Sequence, residues 1–128
     1  MNRPININSK EEEIILADKR YRIYALGGWG IDVGNFSVLF KEQETNEIIK
    51  CKKATYPVQA ILHGKRAKRI LIVDIPRTSN YEVIFEHPES LKVKRSNLFV
   101  SSFFSKPIAN EKIEILIIEQ LGFSPIVK

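Results

Sequence analysis

The sequence reads as an all-β chain: a single-domain antiparallel β-sandwich, jelly-roll-like or immunoglobulin-like, with about eight or nine strands. Three observations lead there. Short apolar runs recur about every ten residues, each bounded by turn chemistry, which is the spacing of sandwiches and barrels. Within most runs apolar and polar residues alternate with the two-residue period of a strand. The runs are also rich in isoleucine, whose branched side chain suits a pleated surface and is crowded in a helix. At 128 residues, 44% of them hydrophobic, the chain can bury one core and is too short for two ordinary ones. Residues 1–128 are therefore one domain.

The first clear alternation is "KRYRIYAL", with Tyr21, Ile23 and Ala25 on one face and Arg20, Arg22 and Tyr24 on the other. "NFSVLFKE" aligns Phe36, Val38 and Phe40. After the polar turn "EQETN", "NEIIKCKK" points Ile49 and Cys51 inward and Lys50 and Lys52 outward. "PVQAILH" and "RILIVDIP" follow, separated by the basic connection "GKRAK". "YEVIFE" sets Tyr81, Val83 and Phe85 against Glu82, Ile84 and Glu86. Beyond the turn "HPES", "LKVKR" sets Leu91 and Val93 against Lys92 and Lys94, and "NLFVSSFF" and "KIEILIIEQL" complete the series.

Two segments carry helix signals as well. Within residues 9–20, Ser9 and Glu12 stand at capping-box spacing ahead of Ile14 and Ile15. Within residues 110–121, Asn110 is placed to cap a helix that Gly122 would stop. Strand is the better reading of the second. Ile113, Ile115, Leu116, Ile117 and Ile118 would have to be buried nearly all round a helix, whereas a strand has only two faces to cover.

"LGGWGIDVGNF" holds four of the six glycines and the only tryptophan. Its pattern, Gly28-x-Gly30-x-x-x-Gly34, has one residue too many for a dinucleotide fingerprint, and a strand follows it instead of a helix. No Gly-Lys-Ser/Thr follows, so it is not a phosphate loop either. The simplest reading is an irregular hairpin connection between Tyr21–Leu26 and Phe36–Phe40. Trp29 then shelters the open end of the core with its N–H on a loop carbonyl, or lies flat as a stacking platform for sugar or a partner. Asp32 is read first as a turn-stabilising carboxylate and second as a ligand contact.

The formal charge is +5, which suits an acidic partner, a nucleic acid or an anionic surface without requiring one. "GKRAKR" concentrates Lys65, Arg66, Lys68 and Arg69; Lys50, Lys52 and Lys53 form a second cluster, and Lys92, Lys94 and Arg95 a third. Aromatics do not interleave with these cations, which weakens a nucleic-acid reading. No catalytic constellation appears. His63 and His87 sit at a strand end and in a turn, and Cys51 reads as a small core residue. One cysteine and two histidines give neither an internal disulfide nor a structural zinc set, and no metal or cofactor is expected. Asp74 lies in register with Ile70 and Ile72 and is expected to pair with Arg77 or another cation.

Several strands are apolar on both faces: Leu71, Val73 and Ile75 against Ile70 and Ile72, and Phe99 and Phe103 against Val100 and Phe104. Either the chain covers the second face itself, or another subunit does; with few helices to cover it, an interface is favoured. The expected function is accordingly a non-enzymatic structural or interaction protein, a subunit of a larger assembly such as a virion or scaffold, joined to copies of itself or to other proteins. Its contact candidates are Trp29, Asp32, Lys65, Arg66, Lys68, Arg69, Phe103 and Phe104. The alternatives are a carbohydrate-binding module using Trp29 and a nucleic-acid-binding protein using the basic clusters. The start "MNRPININSKEEE" has no apolar signal region and no run spans a bilayer, so the expected location is the cytoplasm or the interior of a particle.

Overall fold

The computed structural model describes residues 3–55, 58–94 and 107–120, and these form an all-β, antiparallel structure. Phe103, Phe104 and the "NLFVSSFF" run lie outside the described residues. Twelve strands form among the described residues, more than the eight or nine expected. They are β1 (Ile5–Asn6), β2 (Glu12–Leu16), β3 (Arg20–Leu26), β4 (Gly30–Asp32), β5 (Ser37–Glu42) and β6 (Ile48–Lys50), then β7 (Lys52–Lys53), β8 (Gln59–Leu62), β9 (Lys65–Asp74), β10 (Ser79–Glu86), β11 (Lys92–Lys94) and β12 (Glu114–Glu119). The first sheet runs β1-β12-β3-β9-β7, with β8 also paired to β9; the second runs β2-β10-β5-β6; β4 and β11 form a two-stranded ribbon.

The extra strands have local causes. "NEIIKCKK" breaks at Cys51, where the chain leaves the second sheet as β6 and joins the first as β7. Neither helix signal is realised. Glu11 takes φ 60°, which a right-handed helix excludes, and Ile14 pairs with Tyr81 while the adjacent Ile15 points away from the core. At the other segment only a 3-10 turn forms, Asn110–Lys112, and β12 follows it with Ile115 and Ile117 in the core.

Two connections differ from expectation. The basic "GKRAKR" segment is not a turn: Lys65–Arg69 are inside β9, and only His63 and Gly64 make the bend, both at positive φ. Leu62 pairs with Lys65 across that two-residue loop, the geometry that matches strand twist in a hairpin. The glycine-rich stretch is not a hairpin either. The strands that flank it, β3 and β5, belong to different sheets, and its own Gly30–Asp32 pairs with Lys92–Lys94.

One core is shared by both sheets and the ribbon. Tyr21, Ile23, Leu71 and Val73 come to it from the first sheet, Val38, Phe40, Tyr81 and Val83 from the second, and Val93 from β11. Each fully buried aromatic or aliphatic side chain contributes roughly 1.5–3 kcal/mol relative to an exposed one. In β9 the register slips by one residue: Ile23 faces Leu71 but Tyr24 faces Arg69, so Ile70 is left over as a bulge. That slip is why "RILIV" looks apolar on both faces, since Ile70 and its neighbour Leu71 both enter the main core. The opposite face of the first sheet holds a smaller cluster of Tyr24, Leu26, Ala67 and Leu116. These four are buried within the single chain.

Gly34 shows how tightly the crossover is held. It takes φ 56°, and a Cβ there would stand 3.0 Å from the Ser90 carbonyl oxygen. Gly34→Ala is expected to lower stability by about 1–2 kcal/mol, the cost of holding an L-residue in the left-handed region. Urea denaturation should show a lower midpoint at unchanged slope; an unchanged midpoint contradicts this account of the loop.

Candidate functional site

Period-two geometry builds the most distinctive surface of the molecule. In the β4–β11 ribbon, Lys92 stands opposite Asp32, Val93 opposite Ile31 and Lys94 opposite Gly30. Because Val93 is buried in the core, Lys92, Lys94 and Asp32 share the other face. In β9, Lys68 stands opposite Ala25 and, with the ribbon, lines a hollow of about 440 Å³ that also touches Trp29. A second hollow of about 280 Å³ shares Ile31, Asp32 and Lys68 with the first and adds Lys53 of β7. Together they form a groove with one lysine or more from each of the three basic clusters of the sequence.

Trp29 closes one end of the groove. Its ring is half-buried, its Nε1 donates to the Ala60 carbonyl at 3.3 Å, and the Arg66 guanidinium lies 4.5 Å from the ring centroid. The sheltering role is thus the one taken. A sugar would have to displace Arg66 from the face it covers. Lys68 Nζ donates to the Trp29 carbonyl at 3.2 Å, tying the loop to β9. Asp32 is exposed and its carboxylate accepts the Gly34 N–H at 3.2 Å, the turn-stabilising role.

The four cations of "GKRAKR" do not act together. Alternation along β9 sends Arg66 and Lys68 to the Trp29 side, and Lys65 and Arg69 to the other face of the sheet. Lys65 pairs with Glu114 at 3.5 Å. Arg69 is buried, and burial followed by the nearby Arg22 charge lowers its pKa. Lys53, Lys92 and Lys94 are visible as clustered charges in the sequence, but not as companions of Lys68. Their meeting depends on ribbon pairing between segments far apart in the chain, which no local pattern encodes.

Elsewhere the ionisable groups are structural. Asp74 is exposed and forms a two-point pair with Arg20, at 2.7 and 3.1 Å; the cation expected beside it is Arg20 and not Arg77. Arg77 bonds Glu47 and lies 3.6 Å from Glu42. Glu42, 1% exposed, accepts from the Thr45 hydroxyl at 2.7 Å, the Thr45 N–H at 3.1 Å and the Ser79 hydroxyl at 3.1 Å. The Thr45 hydroxyl bond leads the causes that hold its carboxyl below the ordinary 4.5. The sequence offers no sign of this buried acid. His63 and His87 are exposed in turns, and burial pushes the Cys51 thiol up to about 12. Among the described residues no three His, Cys, Asp or Glu side chains are placed to hold a metal, and no helix is long and apolar enough to cross a membrane. The groove is lined by four lysines and the Asp32 carboxylate.

Because the Glu42 carboxyl is held below 4.5 in the fold, its contribution to stability is complete above that pH and fades as the pH falls through the lowered value. Glu42→Gln should therefore melt below the wild type at neutral pH, with the gap closing in acid; a pH-independent gap contradicts the network. The native Cys51 thiol should resist alkylation at pH 8 and react freely once urea unfolds the chain; rapid labelling of the folded protein would show a thiolate that burial should suppress.

No family model, curated protein or solved structure matches this chain.

Proposed function

We propose that this chain is a non-enzymatic interaction protein, an antiparallel β-sandwich that joins other copies of itself in a larger assembly of the virion or scaffold kind. Two features support the sandwich. Residues of the first and second sheets meet in one core. A tyrosine near the start of each sheet's central strand is tied to backbone four residues upstream: the Tyr81 hydroxyl donates to the Arg77 carbonyl and the Tyr21 hydroxyl accepts the Ala17 N–H. Such ties fix the corners of immunoglobulin-like sandwiches.

The observation that carries assembly is where the exposed apolar side chains sit. Among the described residues the second sheet ends in β2 and β6, and these edges carry Ile15, 76% exposed, and Ile48, 43% exposed. Strand β8, on the rim of the first sheet, carries Ile61, 61% exposed. An open edge offers unpaired N–H and C=O groups, and proteins that stay monomeric usually guard it with lysine, proline or a bulge. β2, "EEIIL", has none of these.

Sedimentation and light scattering test the reading. The wild type should exceed the mass of one chain at micromolar concentration. Ile15→Lys, at a position too exposed to cost more than about 0.5 kcal/mol in folding, should return it to a monomer with unchanged circular dichroism. A wild type that stays strictly monomeric, or an assembly indifferent to Ile15→Lys, contradicts edge-joined self-association.

A further inference from the structure

We propose that the lysine groove between the β4–β11 ribbon and β9 binds the sugar–phosphate backbone of a single-stranded nucleic acid, without reading its bases. This binding is independent of self-association and follows from the state of the cations. Lys19, Arg20, Lys65 and Arg77 are each paired with a carboxylate on the molecule's own surface. In the groove the balance is reversed. Lys53, Lys68, Lys92 and Lys94 line it against a single carboxylate, Asp32, which is already engaged by the Gly34 N–H. No ion pair neutralises Lys53, Lys68 or Lys92 among the described residues.

The excess of positive charge held along one concave track raises the local potential and favours a ligand that carries charge at regular intervals. A nucleic-acid strand does so at every nucleotide. Lysine meets phosphate as a point charge from any direction, whereas arginine grips phosphate and carboxylate alike with a two-pronged fork. Here the nearby arginine fork of Arg66 lies on Trp29 and is not offered to the groove. The same contact covers one face of the indole, and the Trp29 N–H is engaged by the Ala60 carbonyl. Binding should therefore be electrostatic and indifferent to sequence.

The test is fluorescence anisotropy of a labelled oligothymidylate with the whole chain across a salt series. Binding at low salt should weaken with a log–log slope of about −2, as three phosphates met by Lys53, Lys68 and Lys92 require. Combining Lys68→Gln and Lys92→Gln should cut that slope to about a third and weaken low-salt binding by about tenfold. Lys92→Gln alone, at an exposed strand position, should lower the slope by about 0.7 and guards against a folding defect from losing the Lys68 tie to Trp29. Lys10→Gln, exposed and outside the groove, should bind as the wild type. Absence of binding at low salt, or unchanged binding by the lysine variants, overturns the proposal. So does displacement of the oligonucleotide by polyglutamate at equal charge, which would give the groove to an acidic protein.

Discussion

The one-residue slip in β9 is the constraint on which the rest of the structure depends. β9 is the longest strand, and it pairs with β3 along one side and with β7 and β8 along the other. Below the bulge Leu71 and Val73 face the core; above it Ala67 and Arg69 face away. An unbroken register would place Arg69 opposite Ala25, pressing a guanidinium into the main core, and would swing Lys68 onto the outer face. Burying a charge among those aliphatic side chains is far more costly than one disrupted ladder position. The bulge keeps Arg69 out of the main core, burying it on the outer face of the sheet instead, and puts Lys68 on the groove side.

The same alternation explains why the surface divides as it does. The ribbon must bury Val93, so its lysines turn outward beside Asp32. Trp29 is then locked by three contacts, to Ala60, Arg66 and Lys68, each drawn from the β8–β9 hairpin or its strands. A loop that carries four glycines is held firm by packing at its neighbours rather than by its own sequence. Positive charge at the groove and bare apolar side chains at the sheet edges are separate consequences of one folding pattern, and they suit different kinds of partner.

Much of this is legible in the amino-acid sequence. The period-two runs mark β3, β5, β10, β11 and β12, and the inward residues Ile23, Val38, Phe40, Val83 and Val93 are those that the core contains. Cys51 as a small residue packed against the core, Asp32 as a turn carboxylate and the Trp29 N–H on a backbone carbonyl are also readable, because each rests on local chemistry. What is not readable rests on pairing between distant segments. Charge makes "GKRAKR" look like a loop, yet a two-residue His63–Gly64 turn lets its lysines and arginines run as strand. Apolar residues on both faces of "RILIV" suggest an interface; the register slip, which no local pattern shows, brings neighbouring Ile70 and Leu71 into the same core. Glu42 gives no signal because its partners, Thr45, Ser79 and Arg77, are assembled only when β5 meets β10.

The most direct measurement is a set of cross-strand nuclear Overhauser contacts between β3 and β9 in solution. The bulged register predicts that Ile23 is paired with Leu71 and Tyr24 with Arg69, with Ile70 lacking an opposite residue. Contacts that pair Tyr24 with Ile70 and Ala25 with Arg69 would show an unbroken register, and neither the shared core nor the lysine groove could then form as described.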